Sequence, residues 1–232
     1  MIFIGGGALL TQAVSYALKL GVNVDAVCIP ISDSSIPRLK NLNVFVVETN
    51  NPNIELIPIL DKFKDGKVFS INNKFILEDS LLSSGPVFFN IHNGLVQRYR
   101  GIAEVCIFAA ICNGEKKYGV TLHQILPRQK LDSGPVVAQL EFSIENNNDF
   151  FSVLRQSLEA CQRIFEDNIE NIVGNSYESN YVELLHTSYS YKDVAYICTN
   201  AEPKNLTQAS NFGPYKSFFA KLSELVDSSC LK

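Results

Sequence analysis

Short runs of β-branched and aromatic residues alternate with stretches of helical periodicity, and that alternation restricts the fold more than any other feature of the chain. Met1-Ile-Phe-Ile4 is followed by Gly5-Gly6-Gly7 and an amphipathic segment from Ala8 to Leu20. Val22 to Ile29 and Val44 to Val47 repeat the strand signal, and a helical stretch around Ile54 to Lys62 leads into Lys67 to Ser70. Pro86 to Ile91 gives the clearest buried strand of the series. Strands separated by helices pair in parallel through right-handed crossovers. The expected class is therefore α/β: a Rossmann-like, mostly parallel twisted sheet with helices on both faces.

Beyond the fifth strand, a helix is expected from Ala103 to Cys112, a turn at Asn113-Gly114, and two strands, Gly119 to Ile125 and Pro135 to Ile144, joined by the polar loop Leu126 to Gly134. Val153, Leu154, Leu158, Cys161, Ile164, Phe165 and Ile169 recur at helical spacing, so a long helix over Asp149 to Ile172 should pack back on the sheet. The main domain is expected to cover 1–175. Residues 176–232, rich in Tyr and Asn, read as a small C-terminal extension with a final helix near Pro214 to Val226.

A net charge of -4 and a pI near 5.4 argue against nucleic acid as a partner, because phosphate binding needs a basic face. No apolar run approaches the roughly 20 residues of a membrane span, and the N-terminus opens on a strand rather than a signal peptide, so a cytoplasmic protein is expected. Cys28, Cys106, Cys112, Cys161, Cys198 and Cys230 are scattered without a CxxC pair, which suggests reduced packing residues and no metal site.

Gly5-Gly6-Gly7 after a first strand invites a dinucleotide reading, but the spacing is not GxGxxG and no acidic residue closes the second strand. A tight strand-to-helix turn is the favoured reading. Asn90-Ile91-His92 says more: residues two apart on a strand share a face, so amide and imidazole address one volume at the end of a buried strand.

Three ordered blocks sit around that pair: Phe89-Asn-Ile-His-Asn-Gly-Leu-Val-Gln-Arg-Tyr-Arg-Gly101, Asn113-Gly-Glu-Lys-Lys-Tyr-Gly-Val-Thr-Leu-His123 and Leu131-Asp-Ser-Gly-Pro-Val136. Together they resemble the 10-formyltetrahydrofolate-dependent formyltransferases, over about residues 1 to 175. The departures are His92-Asn93-Gly94, where many members read His-Pro-Ser, and a longer loop between His123 and Asp132, through Leu126 to Lys130.

The resemblance implies the formyltransferase fold and an enzyme that uses 10-formyltetrahydrofolate as co-substrate and no metal. The positions matching Asn90 and His92 would stabilise an oxyanion, and Asp132 would orient the imidazole and help move a proton. Phe75, Ile76 and Leu77 match the segment that lines the folate pocket, Phe75 and Leu77 through backbone and Ile76 as an apolar wall. Arg98, Tyr99 and Arg100 follow the catalytic strand, where an anionic acceptor could be held. His123 reads as a structural partner within its strand. The segment after Gly174 is short and carries no basic excess, which disfavours tRNA as acceptor. A small-molecule amine, first a nucleotide-linked amino sugar and second an amino acid or carrier-bound aminoacyl group, is the expected acceptor, and a homodimer stays open. A folate-binding protein without turnover and a dinucleotide-binding domain are the competing classes.

Overall fold

The computed structural model describes residues 1–60, 62, 66–185 and 188–230, without the side chain of Cys230. Asp61, inside an expected helix, His186, to which the sequence assigned no role, and the Cys230 side chain lie outside the described residues.

The expected strands form: β1 (Ile2–Gly5), β2 (Ala26–Ile29), β3 (Val46–Glu48), β4 (Lys67–Ile71), β5 (Val87–His92), β6 (Lys117–Ile125) and β7 (Val136–Ser143). Among the described residues they make one seven-stranded sheet in the order β3-β2-β1-β4-β5-β6-β7. The ladders β1·β2, β2·β3, β1·β4 and β4·β5 are parallel. In β6 and β7, Gln124 N–H bonds the Pro135 carbonyl and Ile144 N–H the Lys116 carbonyl. One index rises as the other falls, so this pair is antiparallel.

Helices α1 (Gly7–Lys19), α2 (Ile36–Asn41), α3 (Pro52–Glu55), α4 (Ile57–Leu60), α5 (Asp79–Leu82), α6 (Ala103–Cys112), α7 (Phe150–Val173), α8 (Val194–Asn200), α9 (Pro203–Ala209) and α10 (Ala220–Cys230) complete the architecture. Two expectations change for local reasons. The single helix expected from Ile54 is interrupted because Pro58 lacks the N–H and crowds the preceding turn, leaving α3 and α4. The second strand begins at Ala26 rather than Val22 because Val22 N–H is spent on the Ala17 carbonyl, closing the C-terminus of α1.

The chain forms two compact units. The first is Met1–His92, Leu122–Ala138 and Cys161–Tyr181; the second is Asn93–Thr121, Gln139–Ala160 and Val182–Lys232. This is not the division at residue 175. The reason lies in α6, in which eight of ten residues are buried. A helix apolar all round must be covered on several sides. Val194, Ile197, Cys198, Ala209, Phe212, Leu222 and Val226 supply that cover, so the extension shares a core with α6.

In the first unit, side chains alternate across the sheet. Ile2, Ile4, Val68 and Phe88 face a layer with Leu56 between α3 and α4, Leu60 of α4, and Leu81 and Leu82 of α5. Phe3, Phe69 and Phe89 face the other way, where Phe165 of α7 stands edge-on to Phe3 and Phe69 at 5.9 and 5.2 Å. Truncating so buried a ring to Ala costs about 3–5 kcal/mol.

The glycine run is the tight turn the sequence favoured. Gly5 has φ +148°, and a Cβ there would lie 1.8 Å from the Ile71 carbonyl oxygen. Gly7 N–H, at the start of α1, donates to the Asp33 carboxylate at 3.2 Å. A side chain of the chain itself thus takes the place a pyrophosphate would need.

Candidate active site

Four polar side chains of the first unit converge at the C-terminal end of β5. Asn90 and His92 share the face that carries Phe88, as their spacing dictates. His123 joins them from β6, and Asp132 from the loop after it. His92, His123 and Asp132 are buried and Asn90 is half-buried.

The hydrogen-bond chemistry fixes how they are arranged. His123 Nδ1 lies 2.9 Å from the Gln124 carbonyl oxygen, which can only accept, so the proton of that ring sits on Nδ1. Nε2 is then an acceptor. Asn90 Nδ2 approaches it at 3.2 Å and donates. The second amide hydrogen of Asn90 points to Asp132 Oδ1, at 3.4 Å. Asp132 Oδ2 faces His92 Nδ1 at 3.5 Å, and Oδ1 lies 3.5 Å from His123 Nε2. One carboxylate therefore stands between two imidazoles, with the Asn90 amide bridging it to the second.

Asp132 holds a left-handed backbone, φ +51°, unusual for a residue with a side chain. Its loop is held closely. A Cβ on Gly134 would lie 1.9 Å from the Gln124 carbonyl oxygen, so only glycine allows the approach. On the other flank Arg128 N–H donates to Asp79 Oδ1 at 2.8 Å.

The sequence reading brought Asn90, His92 and Asp132 to one place, and the structure does the same. It gave His123 only a structural part in its strand, whereas the ring faces the other three. Strand alternation held the signal, since His123 and Thr121 share a face of β6 just as Asn90 and His92 share one of β5.

The Phe75 to Leu77 segment is fixed from beneath by two asparagines. Asn73 accepts from Phe75 N–H at 2.9 Å and donates to its carbonyl at 3.1 Å. Asn53 donates to the Ile76 carbonyl at 2.9 Å and accepts from Glu78 N–H at 2.8 Å. Leu77 packs on the core while Ile76 stays 74% exposed, a large apolar side chain presented on a rigid backbone. The Phe75 backbone, by contrast, is already engaged by Asn73.

Arg98, Tyr99 and Arg100 belong to the second unit and are held there. The Arg98 guanidinium forms a forked pair with the Glu115 carboxylate, one arm at 3.1 Å, and stays 46% exposed. Tyr99 is buried, donates to Glu115 Oε1 at 2.9 Å, accepts from Asn113 at 3.2 Å and stacks on Tyr189 at 5.6 Å. Burial, with Glu115 adding to it, pushes the Tyr99 hydroxyl above the usual tyrosine range. Arg100 is buried, and its carbonyl accepts from Tyr189 N–H at 2.7 Å.

Of the cysteines, Cys28, Cys106, Cys112, Cys161 and Cys198 are buried, and burial pushes the Cys161 thiol up to about 12. Among the described residues no helix is long and apolar enough to cross a membrane.

With this geometry in place, the likeness to known proteins is informative. The sequence profile described as formyl transferase matches residues 72–169, which span β5, α6, β6, β7 and most of α7. Through that stretch the chain is similar to the formyl transferase family. Methionyl-tRNA formyltransferase of Pseudothermotoga lettingae is 30% identical over 167 residues, covering 70% of this chain and 49% of that protein. The chain thus spans about half the length of this relative. A 4-N formyltransferase from Francisella tularensis has the same fold, with a TM-score of 0.73 at 20% identity over 92% of this chain and 89% of the other. So has an N-formyltransferase from Helicobacter canadensis in complex with folinic acid and dTDP-3-aminofucose, with a TM-score of 0.67 at 23% identity over 83% and 71%.

Proposed function

We propose that the chain transfers a formyl group from 10-formyltetrahydrofolate to the primary amine of a nucleotide-linked amino sugar. The observation that carries this reading is the bridge of Asn90 between His123 and Asp132, beside His92, at the end of a buried strand in a family-matched segment. The complex of the Helicobacter canadensis relative supports the choice of acceptor.

The folate supplies the formyl group on N10. A C–N bond forms between the acceptor nitrogen and the formyl carbon, the bond to N10 breaks, and one proton passes from the acceptor amine to N10. The long Asn90 contact to Asp132, at 3.4 Å, leaves that hydrogen weakly held and available to an oxygen gathering negative charge beside it, while the other is held on His123. His92 is the second donor to the same oxygen. Asp132, facing His92 at 3.5 Å, holds the imidazole and takes the acceptor proton.

Ile76 forms the apolar wall for the folate ring and the Leu77 backbone meets its edge, while Phe75, whose backbone is held by Asn73, fixes the segment. Of the three loop residues, Arg98 is the one exposed enough to meet an anionic acceptor; Tyr99 and Arg100 hold the loop. No basic excess marks the chain, so salt should have little of the steep effect that phosphate-backbone binding produces.

The test is a panel of amines incubated with 10-formyltetrahydrofolate and read by mass spectrometry. A formylated nucleotide sugar is expected. Formylation of a different amine class alone, or salt-dependent formylation of an aminoacyl-tRNA, would overturn the choice of acceptor.

A further inference from the structure

Asn90 and His123 project from one face of the sheet, so their neighbours Phe89 and Gln124 project from the other. Tyr177, just past the end of α7, touches both of those back-face residues. Its ring stands edge-on to Phe89, with 5.3 Å between centroids, and its hydroxyl accepts from Gln124 Nε2 at 2.9 Å. The carbonyl of that same Gln124 fixes the proton of His123 on Nδ1.

The next residues of the segment hold the loop that carries Asp132. Asn180 and Val136 exchange both backbone hydrogen bonds, at 2.8 and 2.9 Å, and Gln129 Nε2 donates to the Tyr181 hydroxyl at 2.8 Å. Residues 177–181 are thus a strap within the first unit. One end braces β5 and β6 behind Asn90 and His123; the other grips both flanks of Asp132. The left-handed backbone of Asp132 needs such surroundings, since an isolated chain would relax it.

We infer that Tyr177 is a positioning residue: its hydroxyl, through Gln124, sets the His123 imidazole that orients the Asn90 amide. The inference rests on the reading of Asn90 as a catalytic residue. Tyr177 touches none of the reacting atoms in this scheme, and its effect is on where the Asn90 hydrogens point. An error of that kind is felt in turnover more than in ground-state binding.

Tyr177→Phe removes the hydroxyl and keeps the ring on Phe89. The expected result is a drop of about tenfold in kcat for formylation of dTDP-3-aminofucose, with KM and 5-formyltetrahydrofolate affinity changed by less than about twofold. Gln124→Leu, which removes the donor instead, should act alike, and the double variant should be no worse than either alone. Independently of any acceptor, the side-chain nitrogen NMR signals of His123 should move from a single-tautomer pattern toward the average of both in Tyr177→Phe. Wild-type kcat together with unmoved His123 signals overturns the inference. Asn90→Ala, run in parallel, separates the two ideas: full turnover there removes the catalytic reading, while the His123 signals still decide the positioning role.

Discussion

Asn90 gives one amide hydrogen to His123 Nε2, at 3.2 Å, on a ring whose other nitrogen is already committed to a backbone carbonyl. His123→Leu would leave that hydrogen facing a hydrocarbon and free the amide to rotate. A stability loss of about 1–3 kcal/mol is expected, the cost of a polar group left without its partner. Turnover should fall with it, and His123→Gln, which keeps an acceptor, should recover part of both. Denaturant melts and steady-state rates on the same samples check this; a His123→Leu enzyme with wild-type turnover removes the ring from the site.

Asp132 stands between two imidazoles, so the residues around it should fail as a unit. Asn90→Ala, His92→Ala and Asp132→Ala are each expected to lower kcat by about a hundredfold or more, the scale of a lost oxyanion donor. His92→Ala combined with Asp132→Ala should be little worse than either. Folate affinity, resting on the Phe75 to Leu77 segment, should hardly move. Single variants within about threefold of wild type, with the fold intact, would strike the residue from the mechanism.

The Tyr99 hydroxyl is raised above its ordinary value near 10 by burial. The folded state therefore holds this proton more tightly than the unfolded one. Its contribution to stability is complete below pH ~10 and is lost as pH rises through the raised folded value. Wild-type protein should consequently lose more stability on passing above pH ~10 than Tyr99→Phe does. Denaturant midpoints along an alkaline series, for both proteins, measure the difference; parallel curves would refute it.

Gly101 has φ +108°, and a Cβ there would sit 2.3 Å from the Tyr189 carbonyl oxygen. Gly101→Ala forces backbone apart at the bridge between Gly101 and Tyr189. Destabilisation of about 2 kcal/mol or more is expected, through strain at a special φ plus steric overlap. A thermal melt unchanged from wild type would show that the bridge is dispensable.

Strand alternation made much of this site legible in the sequence. Asn90 and His92 had to share a face once β5 was recognised, and the glycine run had to turn. His123 obeyed the same rule but was given a structural part because its partner, the Gln124 carbonyl, is backbone and carries no sequence signal. Helices α8 and α9 were overlooked because the extension is rich in Tyr and Asn. The marks were present: Ser190 and Asp193 form a capping box, and Pro203 opens α9. The compact units could not be read from order along the chain, since each is stitched from three separated segments. The Glu115 partner of Arg98 lies 17 positions further on, with no local sequence signal linking the two.

The shared packing of α6 with the C-terminal helices bears on how such a chain can change over evolutionary time. Val194, Ile197, Ala209, Phe212, Leu222 and Val226 interlock with a helix encoded more than eighty positions earlier. A recombination event that exchanged everything after α7 for a foreign sequence would strip α6 of this cover and leave a helix apolar all round exposed to water. Any change through this region is therefore coupled to α6: a new C-terminal segment has to bring its own apolar cover for that helix.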